Sequence, residues 1–182
     1  MQLRDLPDDA REILAKLKAP PRLIAHLTLV HDAAFEIVDS LQLRWPELMI
    51  DRDAVLFGSS THDAGKCLHC NELTGPGNQH ETDGPGLLEQ YGVSPERSRF
   101  ARTHGVWKTE PHLAIEDVVV ALADTCWKGV RIEELETKLA TLLADSLQIE
   151  AWEVFMYLDD LVTGIASHAE VRLAWQQRTK SE

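Results

Sequence analysis

The chain has 182 residues, and its thirty acidic against eighteen basic side chains give a formal net charge of −12. Such a charge repels a phosphate backbone and excludes broad nucleic-acid binding, although a local basic pocket for a small anion remains compatible with it. That length suits one well-buried domain and falls short of what two domains with a linker usually need. The three cysteines, Cys67, Cys70 and Cys126, supply no disulfide framework. With no apolar leader or membrane-length run, the expected location is the cytoplasm, with no membrane partner.

Helical patterning runs through most of the chain, which predicts an all-α fold. Pro7, Asp8 and Asp9 are start signals for a short helix over 8–18, with Ile13, Leu14 and Leu17 on one face, and Pro20-Pro21 break it. Over 22–44 the positions Leu23, Leu27, Val30, Ala34, Ile37, Val38 and Leu41 recur at three- and four-residue steps, a long amphipathic helix that carries His26 and ends at Trp45-Pro46. A third helix over 51–62 delivers His62 and Asp63 at its carboxyl end. The segment 71–79, with Gly75, Pro76 and Gly77, has no helical period and reads as a loop.

A short helix over 85–91 is predicted after His80, stopped by Gly92. Ser94-Pro95-Glu96 resembles a cap followed by a first-turn proline and opens a helix to about His104. The run 113–127 is apolar at Val118, Val119, Ala121, Leu122 and Ala123, which places Asp124 toward the interior. Helices over 132–145 and 149–177 complete the pattern, the latter apolar at Trp152, Phe155, Leu158, Val162, Ile165, Ala169 and Leu173. No alternating strand and no internal repeat is present.

The chemistry-bearing positions are His26, the adjacent pair His62-Asp63, His80, His104 and Asp124. Most sit in or beside apolar helical stretches, where an imidazole or carboxylate needs a partner to offset its desolvation, and a shared metal supplies one. Adjacent His and Asp reach one metal only where the backbone fans them inward, which a helix end permits. If the turn continued, Lys66 would lie roughly 6 Å along the axis from His62, in reach of an anion bound at the metal.

In this order and context, with HDAGK over 62–66, HETDG over 80–84, ARTHG over 101–105 and ALADTCWKG over 121–129, the chain resembles the HD-domain superfamily of metal-dependent phosphohydrolases across residues 20–130. The resemblance implies a single helical HD domain over 1–182, with the helices of 131–178 packed on the core. It implies one divalent metal held by His26, His62, Asp63 and Asp124, and a second, bridged by Asp63, held by His80 and His104. A water activated between the metals would attack phosphorus, with Asp63 and Lys66 as catalytic residues and Arg102 and Lys128 as weaker phosphate contacts. Mixed nitrogen and oxygen ligands suit manganese, iron, magnesium, nickel or cobalt without selecting among them. The implied partner is a small phosphorylated substrate, a monoester or a nucleotide, and a homodimer is compatible.

Departures from the superfamily's branches narrow the expectation. Cyclic-dinucleotide phosphodiesterases carry paired histidines where this chain has His104-Gly105, and a Gly-Tyr-Pro signature that it lacks. The deoxynucleotidase branch places a glutamate near the position of Lys66. Mixed-valent di-iron oxygenases share the fold and the ligand set and stand as the alternative chemistry, with a catalytically weak nucleotide sensor as the non-enzymatic one.

Other polar positions read as ordinary structure. Cys67-Leu68-His69-Cys70 has zinc-like spacing, but no second CxxC or CxxH follows, so a plain loop is expected. His31, His112 and His168 are expected at the surface, as are Asp159 and Asp160. Substrate selection is assigned to 71–79 and 105–112, where Trp107 is a candidate to stack on a base.

Overall fold

The computed structural model describes residues 2–179, all of whose regular elements are helical. In chain order these are α1 (Asp8–Lys16), α2 (Pro21–Arg44), α3 (Arg52–Thr61), α4 (Gln79–Gln90), α5 (Pro95–Ser98), α6 (Phe100–Val106), α7 (Ile115–Cys126), α8 (Glu133–Leu147), α9 (Ala151–Ser167) and α10 (Ala169–Thr179). Two 3-10 turns, Ala64–Cys67 and Cys70–Leu73, join α3 to α4. No helix among the described residues is long and apolar enough to cross a membrane.

The centre of the domain is α2, opened by Pro21 in its first turn, where the missing amide costs nothing. Leu27, Leu29, Val30, Ala33, Ala34, Ile37, Val38 and Leu41 are fully buried, because α3, α7, α9 and α10 all pack on this helix. Its polar residues are enclosed too. His31, expected at the surface, is only 3% exposed and its Nδ1 has no hydrogen-bond partner. Burial holds its pKa down at about 4, helped by Arg4 and Arg52 against the opposing charge of Asp32, so the ring is neutral. The reason for the misplacement is that α2 is wrapped on nearly all sides, and a two-faced reading assumes one wet side.

Asp32 and Glu36 on α2 bind Arg172 of α10, at 3.4 and 2.7 Å, and Arg172 also donates to the Ile165 carbonyl at 2.9 Å. This buried arginine fastens the last helix across α2. The expected single helix over 149–177 is in fact α9 and α10, which part at His168. His112 and His168 are exposed as expected, and Asp160 is exposed while Asp159 pairs with Arg131 at 2.7 Å.

The largest departure lies before residue 85. The helix expected over 85–91 starts at Gln79, so His80 sits inside α4, with Pro85 in its middle. Proline there removes the amide that would serve the Glu81 carbonyl. Packing compensates: a Cβ at Gly84 would stand 2.9 Å from that of Ala101, so the glycine lets α4 lie directly against α6.

Candidate metal centre

His26 comes from the first turns of α2, His62 and Asp63 from the end of α3, His80 from α4, His104 from α6 and Asp124 from α7. Asp51 caps α3 by accepting from the Ala54 amide at 2.9 Å. At the other end the backbone changes from α-helical at His62 (φ −52°, ψ −34°) to φ −97°, ψ 12° at Asp63, where the first 3-10 turn begins. That change turns the adjacent side chains toward one point instead of 100° apart. Gly65 is required just beyond: a Cβ there would be 2.2 Å from the His80 carbonyl oxygen, so only glycine lets α4 bring His80 up to Asp63.

The side chains meet in two groups that share Asp63. His26 Nε2 lies 3.3 Å from His62 Nε2, 3.1 Å from Asp63 Oδ2 and 3.2 Å from Asp124 Oδ1; His62 Nε2 is 3.7 Å from each of those oxygens. On the other side, Asp63 Oδ1 is 3.1 Å from His80 Nε2 and 3.6 Å from His104 Nε2. Ligands about 2.1 Å from one ion stand about 3.0 to 3.4 Å apart in octahedral or tetrahedral arrangements. The distances from His26 fall within that range, so the cluster has groups that could hold a metal ion.

Proton positions fit as well. His62 Nδ1 donates to the Ser59 carbonyl at 3.0 Å and His104 Nδ1 to the Phe100 carbonyl at 3.0 Å. A carbonyl only accepts, so each Nδ1 carries the hydrogen and each Nε2 turns a lone pair inward. His80 Nδ1 is held by Glu72 at 2.6 Å, and Glu72 also accepts from the Gln79 and His80 amides. Gly77 gives that carboxylate its place, since a Cβ there would meet Glu72 Oε1 at 2.3 Å.

Burial opposes charge throughout this cluster, yet partners decide the outcome. Desolvation works to lower His26, but its hydrogen bonds to Asp124 and Asp63 prevail and raise it to about 9. Burial would raise Asp63 and Asp124; the surrounding histidines instead hold both carboxyls well below the usual range. His62, fully buried, is pushed down by desolvation. Without metal the centre thus holds ionised carboxylates and a proton on His26.

A cavity of about 130 Å³ opens onto His26 and Asp63, walled by Arg22, Leu23, Lys66, Leu73 and Gln176. Lys66 Nζ lies 2.5 Å from Asp63 Oδ2, and Lys128 Nζ is 3.9 Å from Asp124 Oδ2. Arg102 points elsewhere, bonded to Glu110 at 3.1 Å on the exposed surface. The structure thus brings together every expected ligand, with Lys66 and Lys128 beside them, and leaves Arg102 out. Trp107 packs on the main apolar cluster.

Arg22, Glu72 and Gln176 were not expected here. Arg22 had a readable signal, standing one turn ahead of His26 on the same helix face. Glu72 sits in a segment without period, and Gln176 arrives from the far end of the chain, so neither had one. Among the described residues Cys67 and Cys70 join none of the groups that could hold a metal, and burial, with Cys70 nearby, pushes the Cys67 thiol up to about 11. A larger cavity, about 670 Å³ beside Arg4, Asp9, His31, Phe35 and Arg97, is lined by none of the cluster's residues.

No protein-family model, curated protein or solved structure matches the chain. The protein is described by its own geometry: an all-helical domain with a buried histidine and aspartate cluster that could hold metal, compatible with an HD-like fold.

Proposed function

We propose that the protein is a metal-dependent phosphohydrolase of the HD type, acting on a small phosphate ester or the phosphate end of a nucleotide. The observation that carries this reading is the division of Asp63: Oδ2 faces His26 and His62, while Oδ1 faces His80 and His104. A carboxylate shared in this way suits a two-metal centre. Bound there, divalent cations would supply charge for phosphoryl oxygens and lower the pKa of a water nucleophile.

The chain's own residues favour an anionic substrate at that spot. Arg22 and Lys66 stand on the cavity wall, and Arg22 makes no hydrogen bond or ion pair among the described residues that would hold it elsewhere. A planar guanidinium with free donors recognises phosphate oxygens well. The cavity is far smaller than the roughly 300 Å³ at which pockets for whole drug-sized ligands begin. It admits a phosphoryl group and leaves the remainder of the substrate at the mouth, beside Gln176. Leu23 and Leu73 help exclude bulk water, which strengthens each charged contact inside.

The test is phosphate release from a panel of sugar phosphates and nucleoside mono-, di- and triphosphates with added manganese. Release is expected for at least one class and should fall to background in Asp63→Ala. A protein that binds metal yet releases phosphate from none of them would refute the hydrolase, and oxygen uptake by the iron-loaded form would replace it with an oxygenase.

A further inference from the structure

The second half of the centre contains a carboxylate to which the resemblance assigns no ligand role. Glu81 follows His80 on α4, and an oxygen of its side chain lies within 4.8 Å of a ring nitrogen of both His80 and His104. Its position is made by Gly105: a Cβ there would stand 2.1 Å from the Glu81 carboxyl carbon and 2.3 and 2.4 Å from its oxygens. Any other residue after His104 would evict the carboxylate.

Glu81 is half-buried, and its side chain makes no hydrogen bond or ion pair among the described residues. Glu72, on the other side of the same histidine, has three such bonds. A carboxylate partly withdrawn from water calls for a counter-charge, and a cation shared with the ring nitrogens of His80 and His104 would supply it.

We propose that Glu81 is a ligand of the second cation, alongside His80, His104 and Asp63 Oδ1. This rests on the two-metal reading of the centre and changes its composition. The first half offers two imidazoles, the shared Asp63 and a carboxylate of its own, Asp124. With Glu81 the second half offers the same: two imidazoles, the shared Asp63 and its own carboxylate. Without it that half is one anionic ligand short. Three carboxylates against two divalent ions leave the filled centre with a single net positive charge, which retains attraction for a phosphoryl group while binding both cations more firmly.

The experiment is titration of metal-free protein with manganese(II), followed by calorimetry, for the unaltered chain, Glu81→Gln and Gly105→Ala. Both positions reach solvent, so both variants are expected to fold. The unaltered chain should take two equivalents. In Glu81→Gln the first should bind as before and the second should weaken by roughly 10- to 100-fold, at least what loss of an outer-sphere partner typically causes. Gly105→Ala should do the same by displacing the carboxylate. Two equivalents of undiminished affinity in Glu81→Gln would overturn the role of Glu81 alone. Fewer than two in the unaltered chain would overturn it together with the two-metal centre.

Discussion

His26, His62 and Asp124 project from α2, α3 and α7, helices that pack on one another through the main apolar cluster, where Val30, Ala33, Val55, Val119 and Leu122 are fully buried. His80 projects from α4, which rests on a 3-10 turn and on α6 through glycine contacts, and His104 from α6, which also packs on α7 through the buried Phe100. The first half of the centre is thus positioned by bulk packing. In the second, the α4 side that carries His80 is positioned by a few close approaches, at Gly65, Gly77 and Gly84, and by the brace of Glu72 on His80. Packing spread over many side chains tolerates change better than a single backbone contact does, so the halves should fail separately.

The sharpest way to separate them is Gly65→Ala. The new methyl cannot share space with the His80 carbonyl, so α4 must retreat from Asp63. A loss of about 2–3 kcal/mol in stability, typical of an overpacked site, is expected. Metal titration should show the second equivalent gone and the first retained; loss of both equally would mean the halves are one unit.

A milder break is Glu72→Gln, which keeps shape and removes the charge behind His80. Loosening the imidazole should weaken the second cation by roughly 10- to 100-fold and leave the first unchanged, measured by the same titration. Equal affinities would show that Glu72 is a fold contact only.

The smallest effect is the pH dependence that His26 gives the first half. In the metal-free protein His26 has a pKa of about 9, above its ordinary value of 6.5, so it is protonated at neutral pH and must release that proton to bind a cation. Affinity at the first half should therefore rise with pH up to about 9 and then level off. Calorimetry in buffers of differing ionisation enthalpy at pH 7.5 should show about one proton released from this histidine. The same raised value stabilises the metal-free fold below pH 6.5, and that contribution disappears as pH climbs through 9. A flat profile would place no proton on His26.

This division also marks what could be read from the residues. His26 and Asp124 lie in long periodic helices, so an out-of-place polar residue was visible against its apolar neighbours. The end of α3 was equally legible, because Asp51 and the apolar run bracket it. Glu72, Glu81 and the true start of α4 were hidden, since Gly84, Pro85 and Gly86 signal a break that contact with α6 overrides. His31 was misread because a buried polar residue on a fully wrapped helix looks the same in sequence as one on a wet face. The parting of α9 and α10 at His168 has no glycine or proline to announce it.

The most direct test is the metal content of protein loaded with manganese and freed of excess, compared with a His80→Ala, His104→Ala double variant. The two-sided arrangement of Asp63 predicts two ions per unaltered chain and one in the variant, with the first half intact. No bound metal in the unaltered chain, or the same content in both proteins, would contradict it.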